Sequence, residues 1–479
     1  MEVRRLLSML SNFKYFILIA GCWLQLPSWS MVNALGAKTQ SPNIILILAD
    51  DLGYADLSAY GGKVNTPNID QLAKEGIRFT DFHSNGANCS PTRASLLTGR
   101  YQQRIGIVGA LGENSLGLGA PEAKNEITIA HYLNQKGYKS GFIGKWHLGY
   151  NKEQSPLNFG FDEFRGMLHG AVDYHSHVNT FGRLDWWHND KLVREEGYVT
   201  HLVTNHAMEF IEANKNGPFF LLLSHLAIHF PWQSPEDEPH RVLGKRYREV
   251  SGPLNRLGAH SPEKVGKVVE RMLEELDKSV GAIMEKLLEM NLDENTLVLF
   301  ISDNGGITEY NGGYTEISSN HPLRGAKHTV YEGGHRVPAI AHWQGRIESG
   351  TVSHETVMTM DILPTLLKLV QIDAPDKNGR NSLDGINLLP LLLNGKRLDS
   401  RHLFWQVGGS SAVRSGNWKL VVMDPGKSME LYNLHEDIGE DKNLAIKHPT
   451  IVKDLFNQLQ DWEKEVNQKY YQNGKYYKK

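Results

Sequence analysis

IILILADD, residues 44–51, is an apolar run that ends in two carboxylates. Helical patterns separate it from three further apolar runs, which are Ser140–Ile143, Phe219–Leu223 and Leu297–Ile301. Strands that are apolar throughout are buried on both faces, which is typical of a parallel sheet covered by helices. The sequence therefore predicts an α/β fold in which helices sandwich a large mixed, mostly parallel sheet.

A second, smaller unit is predicted beyond a polar stretch at residues 373–384 that is rich in turn-forming residues. Four short segments of strand character follow, namely Leu403–Val407, Ala412–Arg414, Trp418–Val422 and Glu430–Asn433. They indicate a small antiparallel sheet, and a helical pattern covers residues 450–466 after it. We therefore expect a main domain at residues 41–372 and a C-terminal α+β subdomain at residues 385–479.

The composition describes a soluble globular protein, with 40% hydrophobic and 22% charged residues among 479. The formal net charge is −3, so the chain has no global basic field of the kind that nucleic-acid-binding proteins use. We expect no nucleic-acid partner, and an anionic substrate would have to be bound by local charge.

The N-terminal segment resembles an export signal, because basic residues precede an apolar run at residues 15–26. That run falls short of the roughly 20 apolar residues that span a bilayer, so we expect no membrane span. We predict a signal peptide at residues 1–34 with an open boundary, because residues 19–22 also resemble a lipobox in which Cys22 would carry a lipid anchor. The protein is therefore expected to be exported, as a periplasmic or secreted protein or as an outer-membrane lipoprotein.

Two pairs of polar side chains follow predicted strands. Asp50-Asp51 ends the first run, and Asp303-Asn304 follows the last one. Ligands bind outside the carboxyl ends of parallel strands, so both pairs could converge on one hard cation such as calcium or magnesium. The absence of a nearby His/Cys cluster in the sequence disfavours zinc. Helix caps or turns are the alternative for either pair taken alone.

Cys89 and Cys22 are the two cysteines of the chain, so no disulfide framework is expected. Cys89 opens the segment CSPTRASLLTGR, residues 89–100, which resembles the signature of the sulfatase family within the alkaline phosphatase superfamily. Thr92 stands where the signature has Ser or Ala, and the Cys-x-Pro-x-Arg core is intact. The resemblance implies an alkaline phosphatase-like fold. It also implies oxidation of Cys89 to Cα-formylglycine by a separate formylglycine-generating maturation enzyme.

Further segments resemble the family in the family's own order. They are Gly144–Gly149, His229–Pro231, Leu323–Lys327, Tyr331–Pro338 and Leu431–Leu434 with the residues that follow it to Ala445. The resemblance therefore extends from Asn43 to about Ala445.

The resemblance implies a role for each matching position. One calcium ion would be held by Asp50, Asp51, Asp303, Asn304 and the modified residue 89. Lys145 and Lys327 would bind sulfate oxygens, and Arg93 would orient the formylglycine. His229 would protonate the leaving alcohol, and His147 would take a proton from the second hydroxyl of the hydrated aldehyde.

The substrate is expected to be a sulfated carbohydrate, either an algal galactan such as carrageenan or a glycosaminoglycan. Aromatic and imidazole side chains crowd residues 169–190, and such side chains pack on sugar rings and bind hydroxyl groups. Candidate substrate contacts are His175, His177, Trp186, Trp187 and Arg324. Ordinary loop packing is the alternative explanation for the crowded segment.

Two other functions remain open at this point. One is a phosphatase or phosphodiesterase of the same superfamily, which Cys89 opposes because those enzymes use Ser or Thr with two zinc ions. The other is a silent glycan-binding protein, which would result if Cys89 were never oxidised.

Overall fold

The strands and helices follow from a computed structural model. It describes residues 41–466 except 114, 121, 122, 124, 247–259, 312, 377, 378, 380 and 424–427. The predicted signal peptide, Cys22 and residues 467–479 lie outside the described residues, as does part of the predicted boundary at residues 373–384.

The helices are α1 Pro67–Glu75, α2 Cys89–Thr98, α3 Ile129–Asn134, α4 Val199–Asn214, α5 Pro262–Glu289, α6 Glu332–His335, α7 Ile362–Leu369, α8 Leu389–Asn394 and α9 Pro449–Val466. The first nine strands are β1 Asn43–Ala49, β2 Ile77–Phe79, β3 Phe82–His83, β4 Lys139–Lys145, β5 Glu163–Met167, β6 Trp187–His188, β7 Lys191–Leu192, β8 Phe219–Ser224 and β9 Thr296–Ser302. The others are β10 Glu309–Tyr310, β11 Tyr314–Thr315, β12 Ala339–His342, β13 Thr351–Ser353, β14 Val357–Met358, β15 His402–Val407, β16 Ser410–Ser415, β17 Trp418–Met423 and β18 Ser428–Asn433.

The main sheet confirms the predicted α/β fold. Within the described residues it has ten strands in the order β13-β2-β12-β9-β1-β8-β4-β5-β6-β7. The five central strands, from β9 to β5, are mutually parallel, and β12, β6 and β7 run antiparallel to their neighbours. The four apolar runs predicted from sequence are β1, β4, β8 and β9, each extended by one to three residues.

Helices cover both faces of this sheet because the buried side chains of each central strand alternate between the two faces. On β1, Ile45 and Ile47 join an apolar cluster with helices α1, α4 and α5. Ile44 and Leu46 join a second cluster with helices α2, α3, α7 and α8. Helices bury both faces of the sheet, which explains why residues 44–49 of β1 are all apolar.

The C-terminal sheet, β15–β18, confirms the predicted small antiparallel sheet. Its apolar face packs against α9 and against side chains of the preceding chain such as Tyr101 and Met358. The described residues from Ser41 onward belong to one compact unit. The division into a domain at 41–372 and a subdomain at 385–479 stays a prediction.

Buried ion pairs join the C-terminal sheet to the chain that precedes it. Arg414 on β16 donates to both carboxylate oxygens of Asp81, at 2.8 and 2.7 Å. Lys419 on β17, which is fully buried, lies 2.8 Å from a Glu332 oxygen and 2.9 Å from a Glu440 oxygen. Nearby positive charge, led by Lys419, holds the pKa of Glu332 well below its usual range against the effect of burial. A buried charge that loses its partner is strongly destabilising, so these pairs fix where the sheet sits.

Among the described residues, no helix has the length and apolar character needed to cross a membrane.

The adjacent leucines Leu287 and Leu288 on α5 test the packing of the main core. Leu287 is fully buried and Leu288 is 66% exposed. We expect Leu287→Ala to lower the free energy of unfolding by about 2–5 kcal/mol through loss of buried surface and a residual cavity. Leu288→Ala should change it by less than about 0.5 kcal/mol. Urea denaturation of both variants measures the difference, and equal losses would contradict the described register of α5.

Candidate active site

The acidic residues converge because β1 and β9 are neighbours. Ala49 pairs with Ser302 at the last position of both strands, so Asp50-Asp51 and Asp303-Asn304 leave the sheet side by side. The backbone N–H of Asp51 donates to an Asp303 carboxylate oxygen at 3.2 Å. Asp51 adopts a left-handed conformation with φ of 61°, which turns the chain sharply after the strand. The carboxyl ends of two parallel strands thus hold three buried carboxylates.

Three cations from different elements face these carboxylates. Arg93 on α2 donates through Nε to Asp303 at 3.0 Å and approaches Asp50 at 3.8 Å. Lys145, the last residue of β4, forms an ion pair with Asp50, and Lys327 pairs with Asp51 at 2.5 Å. Helix α2, strand β4 and the segment before α6 are therefore held at one place by charge.

Oxygen atoms in the cluster remain without a hydrogen-bond partner among the described residues. Asp51 Oδ2 and Asn304 Oδ1 are both buried and unpartnered. Burial, together with the negative charge of Asp303, raises the pKa of Asp50 to about 8. Unsatisfied acceptors beside like charges are costly in a dry site, and a hard cation with oxygen ligands would satisfy them. Four possible ligand atoms also lie within 4.8 Å of one another, one each from Asp50, Asp51, Cys89 and His229.

Cys89 is the first residue of α2 and is almost completely buried. Its sulfur lies 3.6 Å from Lys145 Nζ, 3.4 Å from Lys327 Nζ and 3.5 Å from an Asp50 oxygen. Burial raises the pKa of this thiol to about 12, despite the two lysines. Cys89 is therefore a neutral thiol near pH 7, which is a weak nucleophile.

His147 and His229 lie close to this cluster, and both line the same cavity as Cys89. His229 donates through Nδ1 to the Phe230 carbonyl at 2.6 Å, so the lone pair of the neutral imidazole is on Nε2, which lies 3.6 Å from Asp51. Burial and the positive charges of Lys145 and Lys327 hold the pKa of His229 well below its usual range. Burial, followed by Lys145 and Arg93, does the same to the pKa of His147.

The cavity above these groups has a volume of about 600 Å³. Cys89 and Lys327 line it, together with the ring cluster Tyr150, His169 and Phe181. The Tyr150 and His169 rings are 4.3 Å apart, and the His169 and Phe181 rings are 5.5 Å apart. His169 and Phe181 fall in the segment 169–190 that the sequence singled out, but no residue pattern distinguished them from their neighbours.

The structure does not bring the five candidate substrate contacts to this cavity. His175 donates to the Ser234 carbonyl at 3.0 Å, and the buried His177 ring stacks on Trp186. Trp187 belongs to strand β6, which pairs with β5 and β7, rather than to a loop. Arg324 donates to the Tyr432 hydroxyl at 2.9 Å, and its guanidinium covers the ring of Tyr331. None of these five is among the cavity-lining residues. Their role in substrate binding stays a prediction, and their observed contacts are packing contacts.

Comparison with known proteins agrees with this geometry. The Sulfatase family model matches residues 42–372, and a model described as N-sulphoglucosamine sulphohydrolase, C-terminal, matches residues 325–469. N-acetylgalactosamine-6-sulfatase of Mus musculus is 32% identical over 442 residues, covering 87% of this chain and 79% of the mouse protein.

Solved structures show the same fold. The crystal structure of Ps i-CgsB in complex with k-i-k-neocarrahexaose has a TM-score of 0.77 and 29% identity, and the match covers 92% of this chain and 95% of that one. The PsFucS1 sulfatase from Pseudoalteromonas sp. has a TM-score of 0.71 and 26% identity, with 90% of this chain and 91% of that one covered. With more than half of its residues matched by the family model, the chain belongs to the sulfatase family and is a sulfuric ester hydrolase.

Proposed function

We infer that the protein removes sulfate from a sulfated carbohydrate, using a Cα-formylglycine made from Cys89 by a maturation enzyme and one bound calcium ion. The observation that carries this proposal is the position of Cys89. Its sulfur lies within 3.6 Å of two lysine ammonium groups, and Cys89 and Lys327 both line the cavity. An anionic group that enters the cavity therefore meets positive charge at the nucleophile.

Residues that fit a calcium ion surround this position. Asp50, Asp51, Asp303, Asn304 and residue 89 would hold it, and the two unpartnered oxygens of Asp51 and Asn304 are the atoms that most need it. A bound calcium ion would polarise the sulfate and favour ionisation of the nucleophilic hydroxyl. All the carboxylate and amide donors are hard oxygen ligands, which suit calcium better than zinc.

The remaining site residues bind sulfate and move protons. Lys145 and Lys327 lie on two sides of residue 89, where they would stabilise charge that develops on the sulfate oxygens. Arg93 donates to Asp303, Ser224 and the Lys145 carbonyl, so it holds residue 89 and its neighbours in place. His229 would donate a proton from Nε2 to the leaving alcohol. The charge of a bound sulfate would offset the lysine charge that lowers the pKa of this imidazole.

The cavity supports a carbohydrate as the alcohol portion of the substrate. Its wall of Tyr150, His169 and Phe181 offers ring faces for sugar packing, and its volume suits a small oligosaccharide or a chain end. One relative is an N-acetylgalactosamine-6-sulfatase, and Ps i-CgsB was solved in complex with k-i-k-neocarrahexaose. We therefore propose an algal galactan such as carrageenan, or a glycosaminoglycan, as the substrate class. Export to the periplasm or medium, with Cys22 as an alternative lipid anchor, suits a polymer that cannot enter the cell.

Conversion of Cys89 is the first test of the proposal. Mass spectrometry of the peptide that contains residue 89 should find the aldehyde in protein made together with a maturation enzyme. Cys89→Ala should abolish sulfate release and leave the fold intact, because the side chain is small. An unmodified thiol in active protein, or sulfate release by Cys89→Ala, would contradict the nucleophile assignment.

Calcium binding can be measured apart from activity. We expect calcium to raise the melting temperature of chelator-treated protein, because an ion that binds only the folded state stabilises it. Asp51→Asn should weaken the calcium affinity measured by calorimetry by roughly tenfold or more. The control is Asp56→Asn, since Asp56 is also buried but its oxygens accept hydrogen bonds from Gly53, Ser318 and Ser319. Equal calcium affinities in the two variants would contradict the proposed ligand set.

Two substrates distinguish the role of His229 from that of the cavity wall. His229→Ala should lower kcat on a glycan sulfate by roughly 10²- to 10⁴-fold. It should lower kcat much less on an aryl sulfate, because a phenolate of low pKa leaves without much protonation.

His169→Ala is the matched control from the wall of the cavity. It should raise KM for the glycan and leave the aryl sulfate nearly unaffected, because it removes a contact far from the reacting atoms. Equal kcat losses on both substrates for His229→Ala would exclude it as the acid. A larger KM effect from His175→Ala than from His169→Ala would favour the sequence-based assignment of His175 over a role for His169.

A further inference from the structure

His147 is held in a conformation that its own backbone does not favour. Its φ is 54°, in the left-handed region that residues with a Cβ seldom occupy. Two contacts maintain it. The His147 N–H donates to the Leu168 carbonyl at 3.0 Å, and the His147 carbonyl accepts from the Ser90 hydroxyl at 2.9 Å. Hydrogen bonds to both the N–H and the carbonyl hold this residue in a strained conformation. Such strain is typical of residues whose side-chain position is needed for function.

The two ring nitrogens of His147 have different surroundings. Nε2 lies 3.4 Å from the carbonyl oxygen of Leu111, whereas Nδ1 is buried and has no partner among the described residues. A carbonyl oxygen can only accept, so this contact requires the proton of a neutral imidazole to be on Nε2. The lone pair is then on Nδ1.

Ser90 connects the Leu111 contact to the His147 backbone. The Leu111 N–H donates to the Ser90 hydroxyl at 3.1 Å, and that same hydroxyl donates to the His147 carbonyl. The Leu111 carbonyl accepts from Tyr150 as well as from the imidazole. One hydroxyl, adjacent in sequence to Cys89, therefore sets both the backbone of His147 and the acceptor for its ring.

Gly170 closes the other side of the ring. A Cβ at this position would lie 2.5 Å from His147 Cε1 and 2.6 Å from Nε2. Real Cβ atoms do not come so close, so any side chain here would displace the imidazole. Gly170 has no positive φ, so its backbone conformation does not require glycine, and the nearest atoms that a side chain would meet belong to His147.

We propose that Ser90, Gly170 and the Leu111 backbone form a clamp that fixes His147 in the Nε2–H tautomer, with Nδ1 as the proton-accepting atom. The clamp rests on the proposed function, in which His147 takes a proton from residue 89. Nδ1 gains that proton as the O–H bond of residue 89 breaks, and the electron pair stays on the oxygen. Ser90 and Gly170 are positioning residues, because they act through His147.

The tautomer can be observed without turnover. The sample is protein labelled with ¹⁵N-histidine in which residue 89 remains a cysteine thiol. A two-bond ¹H–¹⁵N correlation spectrum reports the tautomer of each histidine. The His147 signals are those that are lost in the His147→Gln variant. We expect the Nε2–H pattern for His147 in the parent protein. Ser90→Ala and Gly170→Ala should each shift or broaden it. An Nδ1–H pattern in the parent protein, or an unchanged His147 signal in both variants, would overturn the clamp.

Kinetics of the matured protein give the second measurement. Gly170→Ala should lower kcat by about 10²-fold with KM little changed, which is the scale of a misplacement by about 1 Å. Gly109→Ala is the matched control, since a Cβ there meets nothing within 4 Å and its φ is not positive. Gly109→Ala should retain the parent kcat. A Gly170→Ala enzyme that equals Gly109→Ala in kcat would also overturn the clamp.

Ser90 lies inside the segment that the maturation enzyme would read, so the aldehyde content of Ser90→Ala is measured before its kcat is compared. Ser90→Thr keeps the hydroxyl and should restore both the NMR pattern and kcat, whereas a Ser90→Thr variant no better than Ser90→Ala would count against the hydroxyl. Failure of the proposed function can be distinguished from failure of the clamp. If His147 were not the base, His147→Ala would keep its activity, whereas the tautomer of His147 measured in the thiol form would still be Nε2–H.

Discussion

Three carboxylates buried at the ends of two adjacent parallel strands are the constraint on which the rest of the molecule depends. Several kcal/mol of desolvation penalty accompanies each buried ion, so Asp50, Asp51 and Asp303 could not be held there without compensation. Arg93, Lys145 and Lys327 supply it from a helix, a strand end and a loop that lie far apart in sequence. The same charges that compensate the buried carboxylates place two lysine ammonium groups beside Cys89.

This environment explains why an ordinary cysteine would serve poorly at position 89. A thiol with a pKa of about 12 is un-ionised under physiological conditions, even with two ammonium groups beside it. The surroundings are built to stabilise negative oxygen atoms rather than a thiolate. A hydrated aldehyde at that position would offer oxygen rather than sulfur to the two lysines.

Much of the architecture could be predicted from sequence, because strands buried on both faces leave long apolar runs and because parallel strands place their ends together. That rule allowed Asp50-Asp51 to meet Asp303-Asn304, but the pairing of β1 with β9 that brings them together was seen only in the structure. The walls of the cavity could not be predicted in this way. His177 and Trp186 resemble a sugar-binding pair in composition but pack on each other, whereas His169 and Phe181 reach the cavity. Which aromatic residues of an irregular segment face a cavity depends on its backbone path, and no periodic pattern records that path.

The ion pairs between the C-terminal sheet and the preceding chain limit where the protein can be truncated. Arg414 and Lys419 belong to the last hundred residues, but their partners Asp81 and Glu332 belong to the main sheet and its connections. A shortened chain that ended in the turn-rich stretch at residues 373–384 would remove those two cations from Asp81 and Glu332. It would also expose the side chains that now pack on β15–β18. The boundary that is visible in the sequence is therefore a poor place to truncate the enzyme for expression, and a library that recombines C-terminal segments between relatives should keep residues 81, 332, 414 and 419 together.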